Sequence, residues 1–152
     1  MKKLIMLLML IIVSSSACEI NRYQPINDKE ETDILKQEIK EEPSEWDIFV
    51  EALIQVESEG KADAVGKTND VGILQITPIY VKDVNRILGE DKYDLSCRTD
   101  TEKSLEMFEI LQGHYNPSKS IDKAIKLHNP KAPQSYRIKI MNKMEIIKSN
   151  LS

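Results

Sequence analysis

Glycine is scarce in this 152-residue chain: there are five, none spaced as a phosphate-cradling loop, so nothing speaks for a nucleotide-binding fold. Cysteine is scarcer still. Cys18 and Cys97 are too few for a disulfide scaffold or a four-cysteine zinc site. His114 and His128 stand without acidic or cysteine ligands at metal spacing, so neither a metal nor a cofactor is expected. A basic excess is missing too, and a formal net charge of −4 argues against a nucleic-acid partner. No apolar run approaches the roughly 20 residues of a membrane-spanning helix; the longest, Leu4 to Val13, has ten. What remains is the composition of an ordinary folded domain, 41% hydrophobic and 30% charged, at a single-domain length. A wholly disordered chain, a collagen-like repeat and a multi-domain machine are excluded.

The chain opens with Met1-Lys2-Lys3, the ten-residue apolar run, and Ser14-Ser15-Ser16-Ala17. Basic start, short apolar centre and small residues are the parts of an export signal, here residues 1–17. The small residues stop at Cys18, which resembles the lipobox of bacterial lipoproteins, where the new N-terminal cysteine carries lipid chains; Ser15 departs from the aliphatic residue usual there. The other reading is ordinary cleavage after Ala17, leaving Cys18 to pair with Cys97 in an oxidising compartment. On both readings the protein leaves the cytoplasm, and a periplasmic, lipid-anchored location is expected.

Residues 18–43 change character. Nine acidic residues between Glu19 and Glu45 stand against four basic ones, with few aromatic or β-branched residues to bury. The stretch reads as an acidic, flexible tether, and residues 44–152 as the folded domain.

Ser44-Glu45-Trp46-Asp47, preceded by Pro43, has the form of a helix N-cap with an acid three residues on. Trp46, Phe49, Val50, Leu53 and Ile54 then follow at helical spacing, and the next position on that apolar stripe is Glu57. Gly60 is expected to close the helix. Burial disfavours the charged form of a carboxyl group, as a proton donor at neutral pH requires, so Glu57 is a candidate general acid; a solvent-facing acid at a fraying helix end is the alternative. The segment from Gly66 to Ile76 combines turn formers with a short β-prone run and predicts a small β-hairpin. Thr77-Pro78 looks like the cap and first residue of a second helix ending at Gly89. Thr99-Asp100-Thr101-Glu102 reads as a capping box for a third, Ser120 to His128 as a fourth, and about Pro133 to Lys148 as the last. The fold class is therefore mainly α (α+β), about five or six helices with a small hairpin after the helix that carries Glu57.

Glu57-Ser58 followed by Gly72-Ile73-Leu74-Gln75-Ile76-Thr77-Pro78 resembles the "ES… GLMQIMP" pattern of lytic transglycosylases in the lysozyme superfamily. The register is similar as well: glycine falls fifteen residues after the glutamate and glutamine eighteen. Ala64 matches an alanine of the pattern, Lys126-Leu127-His128-Asn129 occupies the place of the family's "AYN" motif, and Tyr136 that of a later tyrosine. The resemblance runs from about Trp46 to Lys143 and implies a lysozyme-like fold. It also implies cleavage of the MurNAc–GlcNAc β-1,4 linkage of peptidoglycan, with Glu57 as acid and then base and 1,6-anhydro-muramic ends as product. By the same resemblance Ser58, Gly72, Leu74, Gln75, His128 and Asn129 orient the acid or contact substrate, and Tyr136 hydrogen-bonds near Glu57. Peptidoglycan glycan strands, and a membrane through the anchor on Cys18, are the partners expected of a monomer.

Three departures from the pattern bear on the chemistry. The aromatic of the "YN" pair is His128, the usual asparagine-proline after the glutamate is Lys61-Ala62, and the Gly-Ala ahead of the motif is Asn69-Asp70. Asp70 lies thirteen residues after Glu57, where goose-type lysozymes carry an aspartate, so it is a candidate second catalytic carboxylate. It is equally a turn cap beside Asn69. A hydrolytic muramidase using Glu57 with Asp70 is therefore an alternative, and a catalytically inactive, peptidoglycan-binding lipoprotein is another. Charge is uneven: residues 118–152 carry eight basic and two acidic side chains, residues 47–117 seven basic and fourteen acidic. A basic C-terminal face suits the carboxylates of peptidoglycan stems, and equally the solvated side of two helices.

Overall fold

The computed structural model describes residues 42–151. The segment expected to be an export signal, Cys18 and all but the last two residues of the expected tether lie outside the described residues. Helix α1 spans Glu45–Glu57. Ser44 caps it: its hydroxyl accepts from the Asp47 amide at 3.2 Å, and the Asp47 carboxylate accepts from the Ser44 amide at 2.9 Å. The Ser44 hydroxyl, which also donates to Asp47 Oδ2 at 2.6 Å, and then the Ser44 amide hold the Asp47 carboxyl below the usual carboxylate range. Helix α2 spans Pro78–Leu88, capped by the Thr77 hydroxyl at one end and by left-handed Gly89 at the other. Helix α3 spans Thr101–Tyr115, α4 spans Ile121–His128 from a Ser120 cap, and α5 spans Gln134–Leu151. A 3-10 turn, Leu95–Thr99, leads into α3.

Two boundaries differ from the sequence reading. Helix α1 stops at Glu57 rather than Gly60, because Glu59 and Gly60 are both left-handed, at φ 57° and 78°. The cap of α3 is Asp100 and not Thr99, since the Thr99 hydroxyl turns back to donate to the Ser96 carbonyl at 3.0 Å. The expected hairpin is also corrected. Among the described residues no strand forms between 65 and 76; Val71 makes one isolated antiparallel bridge to Val65 and another to Ile76. Asn69, Gly72 and Gln75 are left-handed at φ 63°, 86° and 47°, and a left-handed residue every third position breaks an extended run. The buried guanidinium of Arg98 donates to the Asn69 carbonyl and shares the Ile76 carbonyl with the Val71 amide.

Helix α1 packs along α5, α2 against α3, and α3 against the 3-10 turn. Phe49, Leu74, Val84, Phe108, Ile140 and Met144 meet in the core between them, all fully buried. Each such side chain contributes roughly 1.5–3 kcal/mol by leaving water. One buried polar joint serves the chain reversal between α3 and α4. Asn116 Nδ2 donates to the Ser120 carbonyl at 2.9 Å and to Gln112 Oε1 at 3.1 Å, and Asn116 Oδ1 accepts from the Ser120 amide. That joint sets where α4 starts, and therefore where its last residue, His128, comes to rest. Cys97 is buried in the 3-10 turn and has no disulfide partner among the described residues.

Candidate active site

Glu57 sits at the end of α1 because the helix stops there, and the stop is fastened by its neighbour. The Ser58 hydroxyl donates to the Ile73 carbonyl at 2.9 Å and to the Ile54 carbonyl at 3.3 Å, while accepting from the Gly60 amide at 3.1 Å. The end of α1 is thereby tied to the middle of the 65–76 loop. The Glu57 side chain is 15% exposed, and its Oε1 accepts from the Tyr136 hydroxyl. The same Oε1 lies 3.3 Å from His128 Nε2. Burial above all, and then the adjacent Glu57 carboxylate, push the Tyr136 phenol well above the usual range, so it stays a proton-bearing donor.

A cleft of about 400 Å³ opens beside these groups. Of the residues singled out from sequence, Glu57, Asp70, Gln75, His128 and Asn129 line it. Four others do not. Ser58 is buried in the joint just described. Gly72 is buried against the 3-10 turn, where an added Cβ would sit 1.8 Å from the Arg98 carbonyl oxygen. Leu74 is wholly buried in the core, so it has a packing role rather than the expected contact with substrate. Tyr136 stands behind Glu57 rather than in the cleft wall.

Gln75 lines the cleft with only half of its amide to spare. Its Nε2 donates to the Gly72 carbonyl at 2.9 Å and the Ala64 carbonyl at 3.2 Å, which offsets the cost of its own left-handed backbone and leaves the side-chain oxygen as an acceptor. Asp70 Oδ1 accepts from the Thr68 amide at 3.0 Å and the Thr68 hydroxyl at 2.5 Å, so the turn-capping geometry is present. Burial opposes its ionisation, but the hydrogen bonds from Thr68 and its own amide outweigh that and hold the carboxyl below the usual carboxylate range. Asp70 therefore presents a carboxylate to the same cleft that Glu57 faces.

Sequence reasoning missed Tyr80 and Arg98. Tyr80 forms part of the cleft wall, its hydroxyl buried and without a partner among the described residues; burial, then the charges of Glu109 and Asp83, push that phenol far up. Arg98, 7% exposed, donates from Nη1 to the Asn69 carbonyl at 2.7 Å and the Ile76 carbonyl at 3.3 Å, and from Nε to the Leu95 carbonyl at 2.9 Å. No local signal marks an arginine as the strut of a loop twenty-odd residues earlier. Among the described residues no three His, Cys, Asp or Glu side chains converge as metal ligands.

A carboxyl group held by a phenol and facing an open polar cleft beside a second carboxylate is a site for proton transfer of the kind glycosidases use. The chain belongs to the transglycosylase SLT domain family, whose model matches residues 34–129. That family is lysozyme-like and acts on peptidoglycan glycan strands, in keeping with the mainly helical fold. No curated protein and no solved structure matches the chain.

Proposed function

We propose that the chain is a lytic transglycosylase that cleaves the MurNAc–GlcNAc β-1,4 bond of peptidoglycan with Glu57 as its single catalytic acid and base. The observation that carries this reading is the Glu57 carboxyl group at the cleft wall with Oε1 held by the Tyr136 hydroxyl. A fixed carboxyl is a competent proton donor only if its orientation is set before the substrate arrives. In the proposed reaction Glu57 gives its proton to the glycosidic oxygen as the bond from that oxygen to the muramic C1 breaks. The muramic 6-hydroxyl then attacks C1 and returns its proton to the Glu57 carboxylate. No water is consumed, and the products are a 1,6-anhydro-muramic end and a free 4-hydroxyl on the departing GlcNAc. Gln75 and Asn129 would meet sugar hydroxyl or acetamido groups from the cleft wall. Residues 1–17 as an export signal, Cys18 as a lipid anchor and 18–43 as a tether would hold the domain near a membrane facing the wall.

A second reading rests on Asp70, a carboxylate in the same cleft. Hydrolysis would use it to stabilise the cation or to activate water. Mass spectrometry of muropeptides released from purified peptidoglycan by the full chain, by Glu57→Gln and by Asp70→Asn separates the two. Anhydro-muropeptides that are lost with Glu57→Gln and kept with Asp70→Asn are the expected result. Reducing ends that vanish in both variants would make the protein a muramidase. Intact glycan that still pulls the protein down would make it a binding lipoprotein and sink both enzymatic readings.

A further inference from the structure

His128 stands where the family resemblance puts an aromatic side chain, yet its polar contact is with the catalytic carboxyl group rather than with open cleft. Nε2 lies 3.3 Å from Glu57 Oε1, and the imidazole is 4% exposed. Two rings from other helices enclose it edge-on: Phe108 of α3, with centroids 6.0 Å apart, and Tyr80 of α2, at 6.1 Å. On its other side Nδ1 is buried and meets no hydrogen-bonding partner among the described residues.

A neutral imidazole carries one N–H, on one nitrogen or the other. With the proton on Nδ1, a buried N–H would go unsatisfied and a bare Nε2 would oppose the lone pairs of Oε1, so two acceptors would face each other. With the proton on Nε2, it is donated to Oε1 and only a weak acceptor is left in apolar surroundings. A doubly protonated ring would again bury an unpaired Nδ1–H. Tyr80 and Tyr136 stand beside the pair as uncharged phenols, and Asp70 and Asp83 line the cleft that the pair faces.

We propose that His128 is held as the Nε2–H tautomer and is a positioning residue for Glu57, so that together with Tyr136 it places two donors on Oε1 and leaves Oε2 as the oxygen that gives up and regains the proton. Among the described residues no donor reaches Oε2. A carboxyl group pinned through one oxygen cannot swing its acidic proton away from the cleft, and that fixed aim is what proton transfer to a bound glycosidic oxygen needs. A phenylalanine ring here would supply a wall but no donor from this position on α4. The inference rests on the reading of Glu57 as the acid.

The first test leaves His128 unaltered. Long-range 15N–1H NMR of the 15N-labelled full chain, with His114→Gln to assign the two histidines, is expected to show His128 protonated on Nε2 and bare on Nδ1 at neutral pH. A proton on Nδ1, or on both nitrogens, overturns the proposal. The second test is kinetic, on soluble glycan strands. His128→Phe fills the slot without a donor and is expected to lower kcat roughly tenfold, the equivalent of one hydrogen bond, with KM within about twofold of the parent. His128→Gln reaches as far as the ε nitrogen with an amide N–H and is expected to recover most of the loss. An unchanged kcat in His128→Phe, or a rise in KM alone, overturns the positioning role. Glu57→Gln keeps the two failures apart. If it stays active, the acid assignment falls; if it is dead while His128→Phe is unimpaired, only the inference about His128 falls.

Discussion

The hydroxyl of Ser58 donates to the carbonyl of Ile73 at 2.9 Å, across fifteen residues of chain, and so fastens the helix end that bears Glu57 to the loop that bears Asp70 and Gln75. Removing that hydroxyl strands two backbone groups, the Ile73 carbonyl and the Gly60 amide. Ser58→Ala is expected to lose about 1–3 kcal/mol of stability, read as a lower urea midpoint at unchanged slope. Its kcat is expected to fall as well, because the two walls of the cleft are no longer tied. A variant of parental stability would show the tie to be idle.

Arg98 holds the same loop from the other side. Arg98→Met keeps an apolar stem of similar reach but abandons the carbonyls of Asn69, Ile76 and Leu95. A loss of about 2–4 kcal/mol is expected in urea unfolding. Arg98→Lys is expected to recover little, since one ammonium cannot reproduce a fork that spans three acceptors. Limited proteolysis is expected to cut both variants between residues 66 and 76 faster than the parent.

Two left-handed glycines separate backbone strain from steric overlap. At Gly89, φ is 74° and an added Cβ would meet nothing within 4 Å. Gly89→Ala is therefore expected to cost about 1–2 kcal/mol, the left-handed penalty alone. At Gly72, φ is 86° and the Cβ would lie 1.8 Å from a backbone oxygen of Arg98, which has no soft side chain to give way. Gly72→Ala is expected to displace the loop or prevent folding; thermal unfolding of the two variants side by side checks the ranking.

Tyr136 should remain a donor at every pH at which the protein is folded and active. Burial raises its phenol, and a raised phenol is protonated below its own shifted value, so moderately alkaline conditions do not remove the bond to Glu57. Absorbance titration at 295 nm of the full chain and of Tyr136→Phe is expected to coincide below about pH 11. An extra tyrosinate appearing in the parent below that pH would show the phenol to be exposed. Tyr136→Phe is also expected to lower kcat roughly tenfold, by withdrawing a donor from Oε1.

Acid should act on Asp70. Its folded carboxyl is held below the ordinary 3.8, so it contributes stability that is present above that value and is lost as pH falls through the lower folded value. Asp70→Asn is expected to flatten the decline of the melting temperature between about pH 5 and pH 2. A decline as steep as the parent's would mean that Thr68 does not hold the carboxylate in solution.

What the sequence determined is what short-range chemistry decides. Ser44, Thr77-Pro78, Gly89 and Ser120 end their helices where the sequence says, because a cap is satisfied within three or four residues of itself. The apolar stripe that leads to Glu57 is likewise a local periodicity, and the spacing from Glu57 to Gly72 and Gln75 carried the family. Tertiary structure decided the rest. The hairpin gave way to isolated bridges because three left-handed residues interrupted it, and a distant arginine braces the loop that resulted. Gly72 and Leu74 share a motif with Gln75, but only Gln75 reaches the cleft, since the turn that carries them faces the core and the 3-10 turn as well. Tyr136 and His128, on two different helices, arrive at one oxygen of Glu57. That meeting depends on how α1, α4 and α5 pack, and no interaction within a few residues of chain can specify it.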